Sequence, residues 1–334
     1  MAIYENIKLD KGLYTTGKGF TQTLEELDPS ENYIGTSLEG LDAYQRQLKR
    51  FDIKVSGKGS DMVEKFFKTP DSATLFPEYV SRAVYQGIEE NDLLPKIVAT
   101  TTVIDGLDYR TITSIPTEEE KELDPVDEGD KIPKTNIRTQ KNLVSLKKRG
   151  RVLVASYESI RLQRLDLFTV TLRQIGAYIA KTQLKDAVNI LLNGDGNENQ
   201  ITDSPISGGS LTYNDLVDFW NSFDPYTLNC VIASPSMMAK LLKLDEFRDA
   251  NAGLNFHSTG NLITPFGANL IKSSAVTGDK LIGLDRTCAL ELVQSGSVIT
   301  EFDKLIDRQL ERAAITSIAG FAKIYTNASK SLSL

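Results

Sequence analysis

The chain has 334 residues, of which 40% are hydrophobic and 25% charged, and its formal net charge is −7 at pH 7. This length predicts one or two domains with a large buried core. An acidic chain gains nothing from counterion release on DNA, so tight, non-specific DNA binding is not expected. The first residues contain no apolar signal-peptide core, and no window approaches 18 apolar residues, so neither secretion nor a membrane span is predicted.

Residues 1–72 are polar and are interrupted by seven glycines. One helical pattern covers 41–53, where Leu41, Tyr44, Leu48 and Phe51 recur at helical spacing. A segment of this composition cannot bury a core alone. We therefore expect an extended N-terminal arm that becomes ordered only where it lies across other surfaces.

A regular apolar pattern begins after residue 72. Phe76, Val80, Val84 and Ile88 recur every four residues, which predicts an amphipathic helix over about 77–91. Pro95 then ends this helix. A strand-like run at about 98–104 begins a long polar excursion, residues 98–152, and a second run at about 151–155 lies where the excursion ends.

The excursion carries charges of opposite sign in its two halves. The acidic segment, residues 114–130, contains one lysine and eight acids, namely Glu118, Glu119, Glu120, Glu122, Asp124, Asp127, Glu128 and Asp130. The basic segment, residues 131–151, contains no acid and eight bases, namely Lys131, Lys134, Arg138, Lys141, Lys147, Lys148, Arg149 and Arg151. This arrangement suits contact with another copy of the same chain better than it suits catalysis.

The most regular pattern in the chain follows the excursion. From Leu165 to Leu191 the apolar residues recur mostly at steps of three and four, which predicts a helix about 40 Å long. Gly194 and the polar turn after it end this helix. Residues 200–296 predict a compact α/β domain, and two further strands are predicted over 299–305 and 313–324.

The α/β domain has recognisable local signals. Thr212 is a suitable N-cap for a helix over 211–223, and Ser234 with Pro235 begins a second helix. Strands are predicted over 229–233, 264–273, 280–284 and 289–294.

No constellation for chemistry emerges from the motifs. His257 is the only histidine, and Cys230 and Cys288 lie in apolar settings typical of buried, reduced thiols. Residues 57–60 lack the spacing of a phosphate-binding loop, and residues 193–199 lack the glycine and the final glutamate of a calcium loop. We predict no catalytic residue, no metal ligand and no cofactor.

The order of these parts resembles that of the major capsid proteins of tailed bacteriophages, which share the Hong Kong 97-like fold. The most specific resemblance is the long helix that ends in AVNILLNGDGN, residues 187–197, just before an α/β domain. The resemblance covers residues 72–326.

The resemblance implies an α+β fold with six parts. These are an N-terminal arm (1–72), a helix leading into the peripheral domain (73–97), an extended E-loop hairpin (98–152), the peripheral domain with its long spine helix (153–199), an α/β axial domain (200–296), and return strands of the peripheral domain with the C-terminus (297–334). The E-loop would lie over an adjacent subunit. Its acidic and basic segments would then be the intersubunit contacts.

The resemblance also implies a structural function. Copies of the chain would assemble as hexamers and pentamers into an icosahedral shell around double-stranded DNA, without sequence-specific DNA binding. The expected partners are further copies, a separate scaffolding protein, a portal and a decoration protein, with no membrane. The location would be the virion, after assembly in the bacterial host cytoplasm.

Two alternatives remain open at this point. An encapsulin-type bacterial compartment would use the same fold to enclose a cargo enzyme instead of DNA. An enzyme of unknown chemistry would need a convergent polar pocket, which a single histidine makes hard to build. Some relatives cross-link an E-loop lysine to an asparagine. Lys121, Lys131 and Lys134 are candidate donors here, but no asparagine or glutamate matches residue by residue, so cross-linking is not expected.

Overall fold

The structure, a computed structural model, describes residues 3–14, 19–113, 125–129, 131–132, 138–156, 161–206, 208–248, 262–296, 298–305 and 310–334. Its described helices are α1 Phe20–Leu27, α2 Ala43–Arg50, α3 Pro70–Ala73, α4 Phe76–Asn91, α5 Leu165–Asn193, α6 Tyr213–Asn221, α7 Pro235–Leu241 and α8 Asp245–Arg248. Its described strands are β1 Thr100–Ile104, β2 Ile112–Thr113, β3 Arg138–Thr139, β4 Lys147–Ser156, β5 Thr202–Pro205, β6 Cys230–Ala233, β7 Asn269–Lys272, β8 Lys280–Leu284, β9 Leu290–Ser295, β10 Ile299–Leu305, β11 Leu310–Lys323 and β12 Ser329–Ser333.

The chain divides into two compact units. Unit one comprises Met1–Asn91, Arg149–Ala180 and Val298–Ser317, and unit two comprises Asp92–Lys148, Lys181–Ser297 and Ile318–Leu334. The helix α5 and the strands β4 and β11 contribute residues to both units.

In unit one, the helices α4 and α5 cross in backbone contact at two glycines. A Cβ atom added at Gly87 would lie 2.1 Å from the carbonyl oxygen of Arg173. One added at Gly176 would lie 2.1 Å from the carbonyl oxygen of Val84. No side chain fits at either position, so the glycines set how closely the two helices approach. Elsewhere in unit one Phe66, Phe76, Tyr79 and Phe168 pack ring against ring.

The described part of the N-terminal segment, residues 3–14 and 19–72, differs from the extended arm predicted for residues 1–72. Its helices α1 and α2 bury Phe20, Leu24, Tyr44 and Leu48 in the same core as α4 and the first part of α5. The predicted helix over 41–53 is confirmed as α2, with a capping box formed by Asp42 and Gln45. The segment cannot bury a core alone, as the sequence indicated, but the apolar faces of α4 and α5 complete one for it.

Two arginines hold this segment with hydrogen bonds. Arg46 is fully buried and its Nε lies 2.7 Å from Oδ2 of Asp28, which is also fully buried and accepts a 2.6 Å bond from the Tyr33 hydroxyl. Arg82 on α4 bonds to Asp42 at 2.7 Å and to Glu78 at 3.0 Å. Carboxylates inside unit one therefore pair with both guanidinium groups.

The strands of unit one form an antiparallel hairpin and an added strand. β10 pairs with β11 from Ile299 opposite Thr316 to Leu305 opposite Leu310. β4 also pairs with β11. Their contact is close at Gly150, where an added Cβ would lie 2.5 Å from the carbonyl oxygen of Ile315.

Unit two contains two groups of strands. In the first, β1 runs parallel to β9, and β9 runs antiparallel to the second part of β11. In the second, the order is β5-β12-β8-β6-β7. The helices α6 and α7 begin at side-chain caps on Thr212 and Ser234, as predicted. Their apolar faces pack with β6 and β8 around Phe219, Phe223, Met237 and Leu281.

One strand of the second group was not predicted from the sequence. The sequence indicated strands over 299–305 and 313–324, and it assigned residues 297–334 to the return strands of the peripheral domain and the C-terminus. The structure places β12 inside the second group, antiparallel to β8 and parallel to β5. The polar sequence of β12 does not indicate a strand inside a sheet. Ser331 is nevertheless buried, and its hydroxyl donates a 2.5 Å hydrogen bond to Asp203.

Candidate functional site

The excursion begins and ends in ordered structure. Its outgoing arm starts as β1, which pairs with β9 from Thr100 opposite Glu291 to Ile104 opposite Ser295. Further out the two arms pair with each other, since Ile112 lies opposite Thr139 and Thr113 opposite Arg138. The root of the predicted two-stranded hairpin is therefore antiparallel.

A buried carboxylate anchors the outgoing arm. Glu291 on β9 is 3% exposed, and it accepts hydrogen bonds from Thr102 at 2.5 Å, from Tyr109 at 2.8 Å and from the hydroxyl of Thr111. Burial, followed by the hydrogen bond to Glu291, raises the pKa of Tyr109. Three neutral donors thus replace water around the carboxylate, which satisfies it without a cation.

A network of amides anchors the returning arm. The buried Gln140 donates to the carbonyl oxygen of Lys323 at 2.8 Å and accepts from Nδ2 of Asn197 at 2.8 Å. Asn142 donates to the carbonyl oxygen of Gly196 at 2.7 Å. The turn after α5 is therefore more than a helix terminator, because it also holds the excursion.

The acidic segment lies mostly outside the described residues. Glu118, Glu119, Glu120, Glu122, Asp124 and Asp130 fall there. Asp127 and Glu128 are described and exposed, and neither forms an ion pair with a described residue.

The basic segment is better described. Lys134 lies outside the described residues, and so does the side chain of Arg138. Lys147 reaches Asp186 on α5 with 3.4 Å between Nζ and Oδ1, and Arg149 is half-buried. The remaining members are exposed and have no ion pair within the described part of the chain, namely Lys131, Lys141, Lys148 and Arg151.

The described residues offer little for catalysis. They contain no group of three or more metal-ligating side chains. Burial raises the pKa of Cys230 to about 12 and that of Cys288 to about 11, so both thiols stay protonated near neutral pH. An apolar cavity of about 20 Å³ beside Phe219 and Leu228 is the size of one water molecule. His257 falls outside the described residues.

None of the described helices combines the length and hydrophobicity needed to cross a bilayer.

Neither anchor of the excursion was predicted from the sequence. Glu291 sits in an apolar strand and Gln140 in a polar run, and neither belongs to a recognised motif. Their partners lie up to 189 residues away in the chain, as for Thr102 and Glu291. The one indication in the sequence was Glu291 itself, an isolated acid in the otherwise apolar run of β9, which suggests a buried carboxylate with partners.

Comparisons with known proteins agree with this architecture. The family model described as phage capsid protein matches residues 139–316. No curated protein sequence matches the chain.

Three solved structures are similar in fold. A virus-like particle from Pyrococcus furiosus is 15% identical, with a TM-score of 0.52 over 76% of this chain and 98% of that one. The capsid of a native gene transfer agent (GTA) particle is 11% identical, with a TM-score of 0.53 over 74% and 89%. The capsid protein of cyanophage P-SCSP1u is 12% identical, with a TM-score of 0.50 over 71% and 86%.

Proposed function

Because the chain belongs to the phage capsid protein family, we propose that its copies form hexamers and pentamers that close into an icosahedral head shell around the phage genome. The protein is a structural capsid protein with the mixed helix-and-sheet fold of tailed-phage major capsid proteins, as the sequence predicted. Subunits assemble into a multi-subunit shell in this family. The family match is to phage capsid proteins, so it adds no support for a compartment that encloses a cargo enzyme.

One observation carries the proposed mode of assembly. The excursion is anchored at both arms within its own subunit, by Glu291 and by Gln140. The described charged residues between those anchors, Asp127, Glu128 and Lys131, are nevertheless exposed, and none forms an ion pair with a described residue. A loop with a fixed root and unpaired charges is preorganised to bind another surface. We therefore assign the excursion to contact with an adjacent subunit.

The physical requirements of a closed shell support this assignment. Every copy must present the same surface and its complement. Opposite charges on the excursion steer encounters between copies and fix their register more than they add affinity. Contacts that are individually weak allow a misplaced subunit to leave before the shell closes.

Further partners belong to the same proposal. We propose that a separate scaffolding protein, a portal and a decoration protein act with this chain, and that assembly takes place in the host cytoplasm. The enclosed double-stranded DNA would meet the shell without sequence-specific contacts, in keeping with the net charge of −7. The proposal includes no enzymatic step.

Charge reversal in the acidic segment tests the assembly role. Lysine replaces Glu118, Glu119, Glu120 and Glu122 together. We expect particle yield to fall at least tenfold, because like charges would then face each other across the contact. Electron microscopy and sedimentation of the purified protein measure particles against free subunits.

A matched control changes the net charge equally. It places lysine at four exposed glutamates elsewhere in the chain, namely Glu31, Glu64, Glu89 and Glu246. The control should assemble like the wild type. Normal particle yield from the acidic-segment variant would contradict the proposal.

A further inference from the structure

The loop of residues 54–61 lies beside the segment that leads into helix α5. The backbone N–H of Leu165 donates to the carbonyl oxygen of Asp61 at 2.8 Å. The guanidinium of Arg164 donates to the carbonyl oxygen of Lys58 at 3.0 Å. All of these residues belong to unit one. The loop is therefore attached to the start of α5 both near its tip and at its end.

The loop and the neighbouring segment together expose four cations. We call them the basic patch, and its members are Lys54, Lys58, Arg161 and Arg164. Lys54 and Lys58 form no ion pair with any described residue. Their charges are therefore available to a ligand outside the subunit.

The part of the chain that carries the loop has an excess of positive charge. Residues 46–68 contain seven bases and three acids, a net charge of 7 − 3 = +4. The charge of Arg46 is compensated by the buried Asp28, which leaves +3 in this part of the chain. This local excess exists although the whole chain is acidic, because the acidic segment, residues 114–130, accounts for the net charge of −7.

The carboxylates near the patch mostly have a cation of their own. Asp52 and Asp61 both pair with Lys65, at 3.1 Å and 3.0 Å. Asp166 lies 3.4 Å from the guanidinium of Arg164. Glu64 is exposed and forms no ion pair with a described residue. Three of these four acids are thus paired, and Arg164 is the one member of the patch that any of them occupies.

The backbone at the tip of the loop is open to a ligand. The N–H groups of Lys58 and Gly59 donate to no described residue. A Cβ atom added at Gly59 would meet no atom within 4 Å, and its φ lies outside the left-handed region. Packing inside the subunit therefore does not require glycine at this position. A glycine there does allow a ligand to approach the backbone closely.

This set of donors suits phosphate groups. Arginine forks, lysine ammonium groups and free backbone N–H groups are the usual partners of phosphate oxygens. The loop lacks the spacing of a nucleotide-binding loop, so a single nucleotide is not the expected ligand. A polymer that carries phosphates along its length fits better, because each cation of the patch can then contact a different phosphate.

We propose that the basic patch binds the phosphate backbone of the double-stranded DNA inside the shell. This inference rests on the function proposed above and adds the surface by which each subunit meets the genome. One subunit should bind DNA without sequence preference, with a Kd on the order of 10 μM at low salt. Many copies around one DNA molecule would strengthen these weak contacts together.

An acidic protein segment is the other polyanion that could meet the patch. A protein partner is usually held by apolar contacts at the centre of the interface in addition to charges at its rim. The tip of the loop, residues 56–60, contains only serine, glycine and lysine. A ligand that is held by charge alone, such as the DNA backbone, therefore suits the tip better.

The test measures binding of full-length free subunits to a DNA duplex of about 30 base pairs by fluorescence anisotropy. In one variant, Lys54→Gln and Lys58→Gln remove two charges of the patch. We expect the Kd at 50 mM NaCl to rise at least about fivefold. The slope of log K against log salt should become shallower by about 2, since each phosphate contact contributes about 0.9. A duplex of shuffled sequence should bind equally well.

A matched control removes two exposed lysines of unit two, Lys243→Gln and Lys272→Gln. Its Kd should stay within about twofold of the wild type, and so should that of Lys58→Arg, which keeps the charge. Thermal unfolding checks that each variant folds. If the double variant does not fold, Lys58→Gln alone takes its place, and the slope should then become shallower by about 1.

The outcomes separate this inference from the function on which it rests, because electron microscopy measures particle yield independently. If the double variant forms normal particles and binds the duplex like the wild type, the inference is wrong and the proposed function stands. Absence of binding by the wild type at 50 mM NaCl would also overturn the inference. If the wild type forms no particles but the variant loses DNA affinity, the proposed function fails and the binding surface stands.

A synthetic peptide of residues 114–130 serves as the competing ligand. If it binds the patch more tightly than the duplex does, and the double variant loses that affinity, the patch receives a protein segment and the inference is overturned. Loss of particles with unchanged DNA affinity would likewise show that the patch is a contact between subunits. Weaker binding of the peptide than of the duplex supports the DNA backbone as the ligand.

Discussion

The N-terminal segment and the excursion are both polar, yet they use their charges in opposite ways. In the N-terminal segment the guanidinium of Arg46 lies against the carboxylate of Asp28, and both are fully buried. In the excursion, exposed cations such as Lys131 and Lys148 have no ion pair within the described residues. Charges paired inside a subunit stabilise that subunit, whereas unpaired charges remain available to a second one.

The largest expected effect is on the stability of the subunit, when the buried charge pair of the N-terminal segment is broken. Arg46→Met leaves the buried carboxylate of Asp28 without its cation. We expect a loss of about 3–5 kcal/mol in the free energy of unfolding, the usual cost when one partner of a buried pair is removed. Urea denaturation of free subunits measures it. Arg248→Met, at an exposed position, should change stability by less than about 0.5 kcal/mol.

The double variant Arg46→Met with Asp28→Leu sharpens this test. Removing both charges should recover part of the loss, since no unpaired carboxylate then remains in the core. Equal stabilities of the wild type and Arg46→Met would show that the pairing does not hold the N-terminal segment.

Lys323 is the contrasting case to Arg46, because its buried ammonium has no hydrogen-bond partner among the described residues. It is fully buried in unit two. Burial lowers its pKa from 10.5 to about 8, against the opposing charge of Asp195. The folded state therefore favours the neutral amine. Stability should rise from pH 8 to pH 10.5, where only the unfolded chain holds the proton, and stay lower below pH 8.

Replacing this lysine should therefore stabilise the protein. For Lys323→Met we expect a gain of roughly 3 kcal/mol at pH 7, from a pKa shift of this size at about 1.4 kcal/mol per unit. The gain should shrink as the pH approaches 10.5. Urea denaturation at pH 7, 8, 9 and 10 measures both effects. The exposed Lys272→Met is the control, and a pH-independent difference would contradict the explanation.

Salt should produce the smallest effect and should separate the two regions. Raising NaCl from 50 to 500 mM should slow particle formation about tenfold, because exposed charges on different copies are screened. The unfolding free energy of free subunits should change by less than about 1 kcal/mol, because buried pairs such as Arg46 with Asp28 are screened much less. Light scattering follows assembly. If salt changed the rate of particle formation and the free energy of unfolding to the same extent, the exposed charges would not differ from the buried pairs in function.

Patterns with a clear period were predictable from the sequence. The helix α5 follows steps of three and four from Leu165 onward, and it spans Leu165–Asn193 in the structure. The strands β8 and β10 also have the predicted bounds. In each case residues close together in the chain form one element, so a local pattern contains the information.

What depends on distant residues was not predictable. The helices α1 and α2 are short and polar, and their burial depends on α4 and α5, which follow later in the chain. Gln140 and Glu291 act through partners far away in the sequence. Nothing in the sequence distinguishes Gly87 and Gly176 from the other glycines. Their role, which is to allow α4 and α5 into backbone contact, depends on the crossing of these two helices.

The position of β12 has a consequence for the synthesis of the chain. This strand lies between β5 and β8, and its residues are separated from those of β5 by about 130 positions in the chain. A ribosome therefore delivers β5, β8, β6 and β7 before the strand that joins β5 to the others exists. A chain broken off before Ser329 leaves β5 detached and the edge of β8 open. Premature products thus fail to complete their own sheet.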